Sequence, residues 1–216
     1  MPVKTWIGSE LNPMDGLFTL NEACLSEIGN ALSLIRDNPL PLLMLRPSNF
    51  HMPKCKELIN TVFDCLENGF GFCLLDRLPL EDMTDNEAKS IYWLLSQMLG
   101  RPVAQKWCDG RMLYSVTDLG RPSGNGVRPD VTNEEQSFHT DNSYNICPPD
   151  IVGLLCLQPS MSGGLSRVVN MKTVLERMET SNKIHIQRLY RPFVFDRQKE
   201  HSEWDPVTLE NPILNC

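Results

Sequence analysis

The sequence predicts an α+β fold in one domain over residues 1–216, with a helix-rich part at 1–100 and a strand-rich part at 101–216, on three observations. Three amphipathic stretches bounded by helix start and stop residues fill the first part. Short apolar runs of strand length, bounded by turn residues, recur through the second. Hydrophobic residues make up 41% of the 216, enough for a sizeable core.

The first helix is expected to start at the S/T-x-x-E capping box of Thr19 and Glu22. Cys24, Leu25, Ile28, Ala31, Leu32 and Ile35 then recur at helical spacing until Asp37-Asn38-Pro39 breaks the pattern. A second helix follows Pro53, with Cys55, Leu58, Ile59, Val62 and Leu66 on one face and Asn68-Gly69 at its end. The third begins at the capping box of Thr84 and Glu87, lines one face with Ala88, Ile91, Leu95 and Met98, and stops at Gly100 before Pro102. Strands are expected at residues 42–45, 70–75, 112–116, 151–157, 165–169 and 189–195. One more helix, capped by Asn170, carries Met171, Val174, Leu175 and Met178 at i, i+3, i+4 and i+7. Residues 118–136 hold Gly120, Pro122, Gly124, Gly126 and Pro129 with almost no large apolar side chain, and read as a long lid-like loop.

Twenty Lys and Arg against 27 Asp and Glu give a net charge of −7, with the basic residues scattered, so the chain has no electrostatic footprint for a phosphate backbone and nucleic acid is not an expected partner. The apolar runs are too short to span a bilayer, and membrane partners are not expected either. The first ten residues carry no basic-then-apolar leader, and the eight cysteines show no C-x-x-C pair, which points to reduced thiols and a cytoplasmic setting. Cys73 and Cys156, inside apolar runs, are expected to be small buried hydrophobes.

The sharpest local feature is Ser137-Phe138-His139-Thr140-Asp141-Asn142-Ser143. In an extended segment His139 and Asp141 project from the same face, bringing an imidazole and a carboxylate together as two of the three ligands of a facial non-haem Fe(II) site. The bland alternative is a hydrogen-bonded surface pair. Downstream come Pro148-Pro149-Asp150, the apolar run 151–157, and Gly163-Gly164-Leu165-Ser166. A glycine pair lets backbone approach a ligand and the Ser166 hydroxyl can donate to a carboxylate, while a tight hairpin with an ordinary strand serine reads the same residues without a ligand.

Taken in order, residues 68–75, Leu99-Gly-Arg-Pro-Val-Ala-Gln105, Phe138-His-Thr-Asp-Asn-Ser143, Pro148-Pro-Asp150, Leu154-Leu-Cys156 and Gly163-Gly-Leu-Ser166 resemble the TauD/TfdA-like (taurine dioxygenase) family of Fe(II)- and 2-oxoglutarate-dependent oxygenases. The resemblance implies a double-stranded β-helix (jelly roll) with flanking helices. It also implies His139 and Asp141 as iron ligands, Ser166 against the 2-oxoglutarate carboxylate, and Asn142 and Tyr144 beside the substrate pocket. The cofactors implied are Fe(II) and 2-oxoglutarate, and the partners a small organic substrate and molecular oxygen, with oligomerisation left open.

The family's third ligand, a distal His followed by an Arg that grips 2-oxoglutarate, is not matched by His185 or His201, and His51 reads as a helix-entry residue. The chain is thus expected to be a C-terminally shortened member with an incomplete jelly roll. Its function is expected to be a dioxygenase or hydroxylase acting on a small substrate, with its own turnover in doubt. The alternative is a non-catalytic pseudoenzyme or interaction domain on a partial jelly-roll scaffold.

Overall fold

Asn21 starts the first helix, where the sequence points to Thr19. The Asn21 side chain accepts the N–H of Cys24 at 3.0 Å at the head of α1 (Glu22–Asp37). Thr19 is claimed instead by a short strand, β1 (Leu17–Thr19), which pairs in parallel with β2 (Leu74–Asp76), Thr19 opposite Asp76. The computed structural model describes residues 4–105, 109–122, 124, 127, 129–144 and 148–214. Cys108, Cys147, Cys216 and Gly126 lie outside the described residues. The chain divides into two compact units, one from Met1–Pro102, Gly153–Met161 and Asn170–Val174, the other from Val103–Val152, Ser162–Val169 and Leu175–Cys216.

In the first unit α1 packs against α2 (Pro53–Asn68) and α3 (Asp85–Leu99), which also pack on each other. Most of the expected stripes supply the core: Cys24, Ile28, Ala31, Leu32 and Ile35 from α1, Cys55, Ile59 and Val62 from α2, and Ala88, Ile91, Leu95 and Met98 from α3 are buried, joined by Leu94, while Leu25 is exposed and Leu58 and Leu66 are only partly covered. The α3 capping box forms as its spacing predicts, Glu87 N–H donating to Thr84 Oγ1 and Thr84 N–H to Glu87 Oε2 at 2.7 Å. The same carboxylate receives Arg36 Nε from α1 at 2.7 Å. The Arg36 guanidinium, followed by the Thr84 N–H and hydroxyl, holds the Glu87 carboxyl down at about 2.

At α2 the N-cap residue is Met52, which has no side chain able to cap. Glu27 reaches across from α1, its two carboxylate oxygens accepting the N–H groups of Lys54 and Cys55, each at 2.9 Å. A tertiary contact therefore does what a local cap does at α1 and α3.

The remaining helix of the sequence reading, α4 (Met171–Ser181), is capped by Asn170, whose Oδ1 accepts Thr173 N–H at 2.8 Å. Asn170 Nδ2 also donates to the Lys4 carbonyl, and the Thr173 hydroxyl bonds both the N–H and the carbonyl of Trp6. These contacts tie the described start of the chain to the head of α4.

Several expected strands take other forms. Residues 42–45 make a 3₁₀ turn (Leu42–Met44), because the Pro41 carbonyl accepts Met44 N–H and the buried Leu45 carbonyl is taken by Trp93 Nε1 and Gln97 Nε2 of α3 rather than by a ladder. In 70–75 only the end is strand, since Gly71 at φ 74° turns the chain before Leu74. Residues 112–116, 151–157 and 165–169 form no ladder among the described residues. Without pairing, Leu154 and Leu165 stand more than four-fifths exposed. Cys156 is exposed for the same reason, and Cys73 is half-buried, against the expectation of two buried thiols.

In the second unit a short helix, α5 (Lys183–Leu189), unforeseen in the sequence, carries His185 exposed on its surface. Pro192 is followed by β3 (Phe193–Asp196), which pairs antiparallel with β4 (Thr208–Asn211), Phe195 opposite Leu209. The Arg188 guanidinium lies 3.6 Å over the Phe193 ring, and the N–H groups of Ile213 and Leu214 return to the Leu189 carbonyl. The described residues are thus α+β with two two-stranded sheets, and a double-stranded β-helix is not completed among them. No described helix is long and apolar enough to cross a membrane.

Candidate metal centre

His139, Asp141, Asn142, Tyr144 and Ser166 all belong to the second unit. His139 is not in a strand; it lies two residues before the start of a turn over residues 141–144, with Asn142 in the left-handed region at φ 52°, a conformation Asn tolerates better than most residues. The turn, rather than strand alternation, brings the imidazole and carboxylate together: His139 Nε2 lies 3.2 Å from Asp141 Oδ1, both side chains about half exposed.

The other ring nitrogen explains how Nε2 is aimed. His139 Nδ1 sits 2.7 Å from the Ser137 carbonyl, an acceptor, so Nδ1 carries the proton and donates. In the neutral ring Nε2 then presents only a lone pair, and it faces a carboxylate that also only accepts. Two acceptors at this distance call for a cation between or beside them, either a second ring proton or a metal ion. The distance itself suits a metal: two donors each about 2.1 Å from one ion and at right angles to each other stand about 3.0 Å apart. Among the described residues no third His, Cys, Asp or Glu joins them in a ligand cluster. His201 Nδ1 lies 2.8 Å from the Ser202 carbonyl, and His51 is exposed just before the N-cap residue Met52 of α2.

Around this pair, Tyr144 is buried and its hydroxyl donates to Asn142 Oδ1 at 3.0 Å, which fixes the turn from inside. Gly163 and Gly164 both have positive φ, 72° and 68°, so the chain enters Ser166 through two consecutive left-handed residues. Ser166 is exposed. Its neighbour Arg167 places its guanidinium 5.6 Å from the Phe138 ring centroid and forms an ion pair with Glu135. The glycine-pair segment is thereby held against the loop that carries His139. Sequence reasoning missed Arg167, Glu135 and the Ser137 carbonyl; none has a spacing signature, since each acts through a contact made only in the folded chain.

In the first unit a groove of about 530 Å³ runs along α1, lined by Leu25, Ile28, Gly29, Leu32, Arg36, Pro79 and Asp82, and none of His139, Asp141, Asn142, Tyr144 or Ser166 lines it.

The family model of the taurine catabolism dioxygenase TauD, TfdA family matches residues 37–212. FR-33289 synthase of Streptomyces rubellomurinus is 26% identical over 199 residues, 91% of this chain and 57% of that protein, so the chain spans little more than half the length of this curated relative. The matched stretch takes in α2, α3, the His139–Asp141 turn, the glycine pair and both strands of the second sheet. The chain belongs to the TauD/TfdA family of dioxygenases.

Proposed function

We propose that the chain is an Fe(II)- and 2-oxoglutarate-dependent oxygenase that hydroxylates a small organic substrate, built on the family's jelly roll. His139 and Asp141 are its two described iron ligands, and Ser166 donates to a 2-oxoglutarate carboxylate. The observation that carries the reading is the pair itself, with His139 Nε2 3.2 Å from Asp141 Oδ1 and Nδ1 turned to the Ser137 carbonyl, a spacing that suits one metal ion between the two donors. When bound, iron with 2-oxoglutarate supplies the oxidation of an unactivated C–H bond by molecular oxygen, 2-oxoglutarate leaving as succinate and carbon dioxide.

The chain's own residues do the positioning. The Ser137 carbonyl orients the imidazole and keeps its proton on Nδ1. Tyr144 holds the Asn142 amide, so that Asn142 and Tyr144 form a fixed wall next to the ligands and shape the substrate pocket. The Arg167 contacts with Phe138 and Glu135 hold the residue after Ser166 against the segment that leads into His139. The name of the relative, a synthase of a single compound, agrees with a small-molecule substrate.

Anaerobic titration with Fe(II) and 2-oxoglutarate tests the reading. A visible charge-transfer band is expected in the wild type and not in His139→Ala, with succinate formed on admission of oxygen; a wild-type protein with neither band nor succinate overturns it. The second reading is a non-catalytic member of the family. It is favoured by the half-exposed pair having no third ligand among the described residues, and binding of Fe(II) without any succinate would select it.

A further inference from the structure

The chain after α2 folds back on the helix it has just left. Gly69 and Gly71 both donate N–H to the Cys65 carbonyl, at 3.0 and 3.3 Å, and a Cβ at Gly69 would stand 2.7 Å from that carbonyl and 3.2 Å from Cys65 Sγ. With Gly71 at φ 74°, the reversal depends on glycine at both positions. It returns Cys73, just before β2, to the last turns of α2. There the Cys73 thiol donates to the Val62 carbonyl at 3.6 Å and the Cys65 thiol to the Phe72 carbonyl at 3.7 Å, so each sulfur reaches across to the other's segment. Both residues are partly exposed. Cys24 and Cys55 form a second adjacent thiol pair, but they are 1% and 0% exposed and no oxidant reaches them in the folded chain.

We propose that Cys65 and Cys73 are a redox modification site: a dithiol that a hydroperoxide closes to an intramolecular disulfide while Cys24 and Cys55 stay reduced. In the first step the Cys65 sulfur attacks one peroxide oxygen, the O–O bond breaks, and the departing oxygen takes up a proton and leaves as water or an alcohol. Cys65 is now a sulfenic acid. In the second step the Cys73 sulfur attacks Cys65, the S–O bond breaks, and that oxygen leaves as water with the Cys73 proton. The two sulfurs give up two electrons in all, and the peroxide takes both. Burial pushes the Cys73 thiol up to about 12, so Cys73 is the less available of the two sulfurs for the first attack on the peroxide. The bridge joins the last turn of α2 to the residue before β2, segments that the glycine reversal and the two thiol-to-carbonyl contacts already hold together.

Cys65 and Cys73 share one tryptic peptide, residues 57–77, because no Lys or Arg lies between Lys56 and Arg77. Native protein is treated with hydrogen peroxide, alkylated and digested without reduction. The peptide is expected to lose about 2 Da and take up no label, and to gain two labels after dithiothreitol. Cys24 and Cys55 take up label only after unfolding, and the oxidised protein has a higher unfolding midpoint. In Cys73→Ser, with nothing to resolve it, Cys65 is expected to be trapped by dimedone as the sulfenic acid. The proposal is overturned if residues 57–77 keep both thiols at a peroxide dose that oxidises the exposed Cys156, or if Cys24 and Cys55 bridge instead. A Cys73→Ser protein that folds but gives no dimedone adduct at Cys65 equally rejects it.

Discussion

Replacing Glu27 with Ala tests whether a residue of one helix serves as the cap of another. Glu27 lies midway along the first turns of α1, yet its carboxylate takes two of the N–H groups that begin α2, those of Lys54 and Cys55, at 2.9 Å each. Met52 offers no substitute. Losing an ordinary N-cap costs about 1 kcal/mol, and losing a negative charge beside the positive end of a helix adds roughly 0.5 kcal/mol. Together they give about 1.5 kcal/mol, which for a unit of this size lowers the melting midpoint by roughly 5–10 °C. Urea unfolding followed by helix ellipticity, with calorimetry alongside, reads both quantities. Glu27→Gln retains an acceptor without the charge and is expected to fall between wild type and Ala. Glu57→Ala, which removes only the exposed pair with Lys54, is expected to stay within about 0.5 kcal/mol of wild type. If Glu27→Ala is no more destabilising than Glu57→Ala, the cross-helix cap does not hold α2 and the reasoning fails.

Three further outcomes follow from the same contacts. Ile91 is fully buried at the centre of the first unit, so Ile91→Ala is expected to cost about 2–5 kcal/mol in the same urea assay. The Glu87 carboxyl, held at about 2 by Arg36 and then Thr84, binds its proton less readily folded than unfolded. Its contribution is therefore complete above the ordinary carboxylate range near 4.5 and is lost as pH falls from there through about 2, and Glu87→Gln should flatten that part of the stability–pH curve. Arg167→Ala removes both the Phe138 and Glu135 contacts; hydrogen exchange should quicken across residues 163–169 and 135–139 while α1 to α3 keep wild-type protection, and unchanged exchange in those two segments would contradict the assigned contacts.

The helices were legible in the sequence because their causes are local. Thr84 and Glu87 form the capping box their spacing announces, and most residues of the α1, α2 and α3 stripes are buried, Leu25, Leu58 and Leu66 excepted. Errors arose where a tertiary partner outbid a local one. Thr19 has cap chemistry, but its backbone joins β2, more than fifty residues away, leaving Asn21 to cap. Leu45 ends an apolar run of strand length, but its carbonyl is taken by Trp93 and Gln97. Strand length and apolar content at 151–157 and 165–169 say nothing of which strand would pair with them, and pairing is what makes a ladder. α5 was missed because seven residues give too few turns for helical periodicity to register. At the site, spacing two in sequence pointed to His139 and Asp141, and their contact arises from the turn at Asn142, for which the strand argument had no term.

The central claim is that His139 and Asp141 together hold a divalent metal. Manganese(II) added to the protein without oxygen or cosubstrate, with the ring protons of the four histidines followed by NMR, tests it directly. The account predicts that substoichiometric metal broadens the His139 resonances selectively, leaves His51, His185 and His201 sharp, and loses this selectivity in Asp141→Asn. Equal broadening of all four, or selective broadening that survives Asp141→Asn, would contradict it.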